Sequence, residues 1–150
     1  LQLKNSLYCD LFSMKNALYI SQRSSVSLLN ITIIYIINEL FFLFNLIEVS
    51  KYISFVVLYF FYLLICLIYF ENKNIGMYFF KSDYKKKYSF WKLFLYNILY
   101  TISASTIYLK VFFFLDVLLV NTFCIQCLML LKFGKTTHSY LTNVELKNIT

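Results

Sequence analysis

Residues 52 to 70, YISFVVLYFFYLLICLIYF, run for nineteen positions without a charged side chain. A stretch of that length covers a hydrocarbon layer of roughly 30 Å as one α-helix, the conformation that satisfies every backbone amide and carbonyl within the segment. Any fold must find an apolar medium for it. A soluble domain would need a charged shell to do so, and this chain has little to build one from. Of its 150 residues 61% are apolar, 21% aromatic and 14% charged, whereas about a quarter of a soluble domain is charged. That balance argues against a soluble enzyme and for an all-α membrane protein.

Residues 28 to 47, LLNITIIYIINELFFLFNLI, form another candidate span whose single charge is Glu39. The short connection Glu48-Val49-Ser50-Lys51 joins it to 52–70 as a tight hairpin. From Phe90 to Phe133 the chain is again mostly apolar, but one helix of that length would measure about 65 Å, twice the bilayer. It reads as two spans, 90–109 and 111–131, parted in the polar, β-branched stretch TISASTIYLK. About four transmembrane helices result. Charge supports that number, because basic residues collect on the side from which insertion proceeds. Lys4, Lys15 and Arg23, the six lysines from Lys73 to Lys92, and Lys132, Lys135 and Lys147 then share one face, leaving Lys51 and Lys110 on the other. Three spans would move the C-terminal lysines across and blunt the asymmetry. Both termini are expected inside.

In residues 1–27, Leu3, Leu7, Leu11, Met14 and Leu18 recur at helical spacing, which suits an amphipathic helix lying in the interface. The rival reading is a targeting presequence. The domain plan is thus an interfacial segment 1–27, a four-span region 28–133 and a polar tail 134–150. Between the second and third spans, Tyr78, Phe79, Phe80, Tyr84, Tyr88, Phe90 and Trp91 surround Lys85, Lys86 and Lys87. Rings at headgroup depth beside lysines that meet anionic lipid explain this pattern. Nucleic-acid surfaces also interleave bases with aromatics, but next to two spans the lipid reading is preferred and no nucleic acid is expected as partner.

Glu39, beside Asn38 near the middle of the first span, costs about 2.5 kcal/mol or more at that depth. It is a candidate proton relay, or a hydrogen-bonded residue that ties its helix to a neighbour. Lys110 and Asp116 bracket the start of the fourth span as an end-of-helix ion pair, with Asp116 a candidate second relay step. Ser103, Thr106 and Lys110 fall on one face of the third span, and Asn121, Cys124 and Leu128 on one face of the fourth, where polar residues link helices. Cys124-Ile125-Gln126-Cys127 is a C-x-x-C without a companion pair, so buried, inert packing thiols are expected rather than zinc or redox chemistry. His138, the single histidine, excludes a haem held by two histidines of this chain and is expected outside the bilayer. Phosphate-loop, nucleophile-elbow and zinc-protease motifs are absent from the sequence. No catalytic, cofactor or metal site is expected. With two glycines and two alanines, the helices must pack through large side chains and against partners.

The richness in Phe, Tyr, Ile, Asn and Lys, the thirteen lysines among fourteen basic residues, and spans such as SFVVLYFFYLLICLIYF resemble the small hydrophobic proteins encoded by AT-rich protist mitochondrial genomes, those of ciliates above all. The resemblance implies a divergent membrane subunit of a respiratory complex, multi-pass in the mitochondrial inner membrane, with matrix-side termini. Glu39-Leu40 and Asn45-Leu46 are similar, more faintly, to the small antiporter-associated subunit of NADH:quinone oxidoreductase. That family has three spans and carries a further mid-membrane carboxyl in the next one, which 52–70 lacks, so its pumping role is not carried over. The expectation is a structural or accessory subunit of complex I, or next of cytochrome c oxidase, with neighbouring membrane subunits and anionic phospholipids such as cardiolipin as partners. Different classes are an autonomous transporter or translocase component, an ATP synthase membrane subunit, and a membrane redox protein using Cys124 and Cys127.

Overall fold

A computed structural model describes the backbone of residues 2–44, 50–109 and 116–147, and their side chains from Ile20 onward except at 116 and 123. The described chain is helical: α1 (Gln2–Leu43), α2 (Lys51–Tyr69), α3 (Ile75–Phe79), α4 (Phe90–Ser105) continued by a 3₁₀ turn Thr106–Tyr108, α5 (Asp116–Leu119), a π-helical stretch Val120–Cys127, α6 (Leu128–Phe133) and α7 (Thr137–Thr142). Among the described residues two helices are long and apolar enough to cross a membrane, Ile20–Leu43 within α1 and Lys51–Tyr69.

The boundary expected between residues 27 and 28 is not a break, because α1 passes through it and ends at Leu43. No glycine or proline interrupts this sequence, and the Ser25 hydroxyl turns back onto the Ser21 carbonyl at 2.9 Å, so its polarity is absorbed by the helix itself. The apolar stretch described within this helix, Ile20–Leu43, thus runs through position 28 without interruption. The side chains of 1–19, on which the amphipathic reading rests, lie outside the described residues. By contrast α2 begins and ends within one residue of the uncharged run, opened by the Ser50 hydroxyl, which accepts from the Ile53 amide. Gly134 and Asn143, in left-handed conformations, end α6 and α7.

α1 and α2 run antiparallel, since Asn38 meets Ser54 while Asn30 meets Tyr62. α4 turns again: Asn97 reaches the Leu63 carbonyl and Tyr52 meets Ser105. The last segment returns from the Ser103 end of α4, where Asn121 binds Ser103, and Leu118 joins the core. That core holds Ile31, Ile34, Phe55, Tyr59, Leu63, Tyr100, Ala104, Ile107 and Leu118. Its contacts are largely between rings, with Phe55 stacked on Tyr59 at 5.5 Å and tilted against Tyr108 at 5.2 Å. Aromatic surfaces thus do the packing that small residues do in other bundles.

α2 shows two faces at helical spacing. Phe55, Tyr59, Leu63 and Leu67 are buried, whereas Ile53, Val57, Phe61, Ile65 and Ile68 stay 46–56% exposed along the opposite side. A soluble monomer rarely shows so long an apolar stripe.

The segment 134–147 is not a peripheral polar tail. Val144 and Leu146 are buried while Glu145 between them is not, the alternation of an extended strand. The segment pairs with the central loop through the antiparallel bridge Tyr84–Leu146, and Leu146 packs with Val26 of α1 and Met77 of α3. α7 lies on α4, where the His138 ring meets Tyr96 at 4.9 Å and Tyr100 at 5.1 Å. The start of the apolar part of α1, the end of α2, the start of α4 and this segment therefore meet at one pole.

Candidate functional site

Three buried asparagines tie the helices together. Asn38, on α1, donates to the Tyr108 hydroxyl at 2.8 Å and to the Lys51 carbonyl at 3.1 Å, and accepts from the Ser54 hydroxyl at 2.7 Å. Asn30, about two turns earlier on the same face, accepts from the Tyr62 hydroxyl at 2.9 Å and from the Gly76 amide at 3.0 Å. Asn97, on α4, donates to Asn72 at 2.7 Å, and Asn72 donates to the Tyr84 hydroxyl at 2.6 Å. Each amide satisfies groups on two other segments, as buried polar groups must. The eight-residue interval between Asn30 and Asn38 is a sequence signal that they share a face; nothing comparable marks Asn97.

Glu39 is not mid-span. It stands four residues from the end of α1, where its carboxylate accepts from Lys51 Nζ at 2.7 Å and from the Tyr108 hydroxyl at 3.1 Å. Its described helix ends at Leu43, and Glu39 stands at the pole opposite the basic loop, beside the one lysine of the hairpin connection. A carboxylate held by an ammonium and a phenol ties helix ends together, and a half-exposed pair of this kind contributes up to about 1 kcal/mol. Lys110 and the Asp116 side chain lie outside the described residues, and the ion pair expected between them does too.

The facing polar residues of the third and fourth segments meet: Asn121 Nδ2 donates to Ser103 Oγ at 2.8 Å and to its carbonyl at 3.1 Å, with Thr106 Oγ1 at 3.5 Å. Cys124 and Leu128 do not share that face. They are exposed, and Cys127 is half-buried, so the thiols are not the buried packing residues expected. The π-helical stretch widens the turn between Asn121 and Leu128 and shifts the register of a regular helix. No group of three His, Cys, Asp or Glu side chains capable of holding a metal forms among the described residues.

Beside α7 lies a largely apolar cavity of ≈ 80 Å³, whose polar lining includes Arg23, Ser27, Asn121, Gln126, Thr136 and His138. Arg23 Nη1 donates to Ser139 Oγ at 3.1 Å, and Thr136 Oγ1 lies 3.0 Å from both Ser139 Oγ and His138 Nε2. His138 Nδ1 is buried without a hydrogen-bond partner among the described residues. Burial first, and the Arg23 guanidinium second, push the imidazole down to about 3 from its usual 6.5, so the ring is neutral. His138, expected outside the bilayer, is enclosed by the chain itself, where Tyr96 and Tyr100 pack against its ring.

At the same pole, the central loop is stapled to the extended C-terminal segment around the Tyr84–Leu146 bridge. The Lys85 amide donates to the Glu145 carbonyl at 3.0 Å, and the Lys147 amide donates to the Asp83 carbonyl at 2.7 Å. The Glu145 carboxylate is bound by Lys135 and, at 2.8 Å, by Lys85, which together hold its carboxyl down at about 2. Asp83 is nudged upward by slight burial but lowered on balance by the Tyr84 amide and Lys73. Lys86 and Lys87 are exposed, Lys86 lying over the Tyr88 ring at 5.5 Å, and Trp91 is 75% exposed at the start of α4.

Comparison with protein-family models, with curated proteins and with solved structures finds no match to this chain.

Proposed function

We propose that this protein is a four-span, non-catalytic membrane subunit that packs within a larger assembly. The observation that carries the reading is the distribution of polarity: the outward stripe of α2 is purely apolar, while Asn30, Asn38 and Asn97 are turned inward and satisfied. Lipid and neighbouring apolar helices accept such a surface, and water does not. Successive reversals of direction from α1 to α2 to α4 to the last segment support four crossings, with 90–109 and the shorter apolar stretch Val117–Phe133 as the third and fourth. Such a topology gathers Arg23, the central lysines, Lys135 and Lys147 on one side, as the charge rule requires. Assignment to a respiratory complex of a mitochondrial inner membrane, complex I first and cytochrome c oxidase next, rests on the compositional resemblance and supplies the neighbours that the stripe needs.

Mild detergent extraction followed by a native gel is expected to find the chain migrating with a large respiratory assembly. Migration as a small free oligomer would favour the transporter class instead. The fourth crossing has its own test at Cys124, on the exposed face of the π-helical stretch. A thiol facing hydrocarbon lacks the water that supports the reactive thiolate, so a charged, impermeant thiol reagent is expected to leave Cys124 unmodified in intact membranes and to modify it after denaturation. Rapid labelling of the native protein from either side would mean that the segment faces water.

A further inference from the structure

We infer that the cleft between the end of α2, the start of α4 and the Lys85–Lys87 loop is a binding site for the headgroup of an anionic phospholipid, an assignment that rests on the membrane reading above. The cleft has a volume of ≈ 510 Å³ and is lined by five lysines, Lys73, Lys85, Lys86, Lys87 and Lys147, against two carboxylates, Glu71 and Asp83. Two of the lysines are already committed, Lys73 to Asp83 and Lys85 to Glu145. Lys86, Lys87 and Lys147 have no carboxylate at ion-pair distance among the described residues. Three ammonium groups around one concavity constitute a phosphate-binding field, and basic pockets at the ends of membrane helices bind anionic headgroups in this way.

The apolar half of the cleft selects the lipid over a free phosphate. Leu67, in the last turns of α2, and Phe90 and Leu93, in the first turn of α4, form the wall nearest the helices. Beside it Ile68, Tyr69 and Phe70 are exposed by 55%, 75% and 48%, so acyl chains have a continuous apolar path down α2. The two tyrosines that line the cleft do not form a stacking platform for bases. The Tyr84 hydroxyl is bonded to Asn72, the Tyr88 hydroxyl accepts from the Glu145 amide, and the two rings meet edge to face at 6.1 Å.

Trp91, the sole tryptophan of the chain, is exposed next to Phe90 and reports on this site directly. The full chain is reconstituted in phosphatidylcholine nanodiscs and Trp91 fluorescence is quenched with brominated phosphatidylglycerol or brominated phosphatidylcholine. The anionic lipid is expected to quench at far lower mole fraction. Each lysine near an anionic surface contributes about fivefold, so Lys86→Gln with Lys87→Gln should reduce this selectivity about 25-fold, whereas Lys86→Arg with Lys87→Arg should keep it. Equal quenching by the two lipids, or a Gln variant as selective as the wild type, overturns the headgroup site while leaving the membrane reading intact. Quenching by neither lipid overturns the membrane reading itself. Relief of the anionic quenching by millimolar inorganic phosphate, or by a single-stranded oligonucleotide, overturns the lipid assignment in favour of a free phosphate or a nucleic acid.

Discussion

Gly76→Ala is expected to lower the thermal unfolding midpoint of the detergent-solubilised protein by roughly 4–12 °C, more than an alanine at the chain's other glycine, Gly134. A Cβ at position 76 would meet the Val26 carbonyl oxygen at 2.5 Å, Asn30 Nδ2 at 2.9 Å and the Val26 Cα at 3.1 Å. Two of those three atoms belong to the backbone of α1 and cannot rotate away. The short helix α3 must lift off, which uncovers Met77 and breaks the 3.0 Å bond from the Gly76 amide to Asn30. Overpacking of this kind costs about 1–3 kcal/mol and the loss of a buried hydrogen bond about 1 kcal/mol more. Gly134 is different. Nothing lies within 4 Å of its added Cβ, and only its φ of 67° penalises a side chain, for about 1 kcal/mol. The ratio of the two losses is the informative quantity. If Gly76→Ala unfolds no earlier than Gly134→Ala, α3 is not seated on α1 as described.

How far the sequence discloses this arrangement depends on the range of the force responsible. The uncharged run 52–70 becomes α2 almost residue for residue, because helical hydrogen bonding and the apolar character of its side chains act within the segment. The weak stretch 101–110 likewise ends α4 at Ser105, where β-branched and hydroxyl side chains compete for the backbone: Ser105 and Thr106 each bond a carbonyl three residues back. Hydrophobic windows, however, do not fix where a helix stops. Glu39 looks central in 28–47 and is terminal in a helix ending at Leu43, paired with a lysine that lies twelve positions further on. The same limit applies to Gly76, whose neighbour Asn30 is 46 residues away, and to the tail, whose burial follows from a bridge to Tyr84 of the central loop. Composition describes 134–150 as polar, yet the alternation Val144-Glu145-Leu146 is a readable sign that one face of it is covered.

His138 carries the same lesson into chemistry, and it makes the stability of the fold depend on pH in a window where no other side-chain type ordinarily titrates. The chain has one histidine. Its folded-state value is pushed down to about 3 from 6.5 by burial and by Arg23, so the unfolded chain takes up a proton near pH 6.5 that the folded chain refuses. Stability is therefore full above about pH 6.5. It falls on acidification with a slope approaching 1.4 kcal/mol per pH unit, which amounts to about 2 kcal/mol between pH 7 and pH 5. The lowered carboxyls of Glu145 and Asp83 add a loss of the same sign, but mostly below about pH 5, as pH falls through the unfolded carboxyl range at about 4. His138→Gln retains a neutral polar side chain that can reach Thr136 but does not titrate. Its denaturation midpoint in detergent is expected to be the same at pH 7 and pH 5, while the wild type loses the full increment. A wild type indifferent to this change, or a Gln variant that loses as much, would mean that the imidazole is solvated in the folded protein. The first structure to yield should be the one the ring anchors. The charged form would be shut away from water with the Arg23 guanidinium near by, so α7 leaves α4 and takes with it the extended segment that staples Lys85 through Glu145. Limited proteolysis after Lys132 and Lys135 should consequently appear at pH 5 in the wild type before global unfolding, and be absent at that pH from His138→Gln.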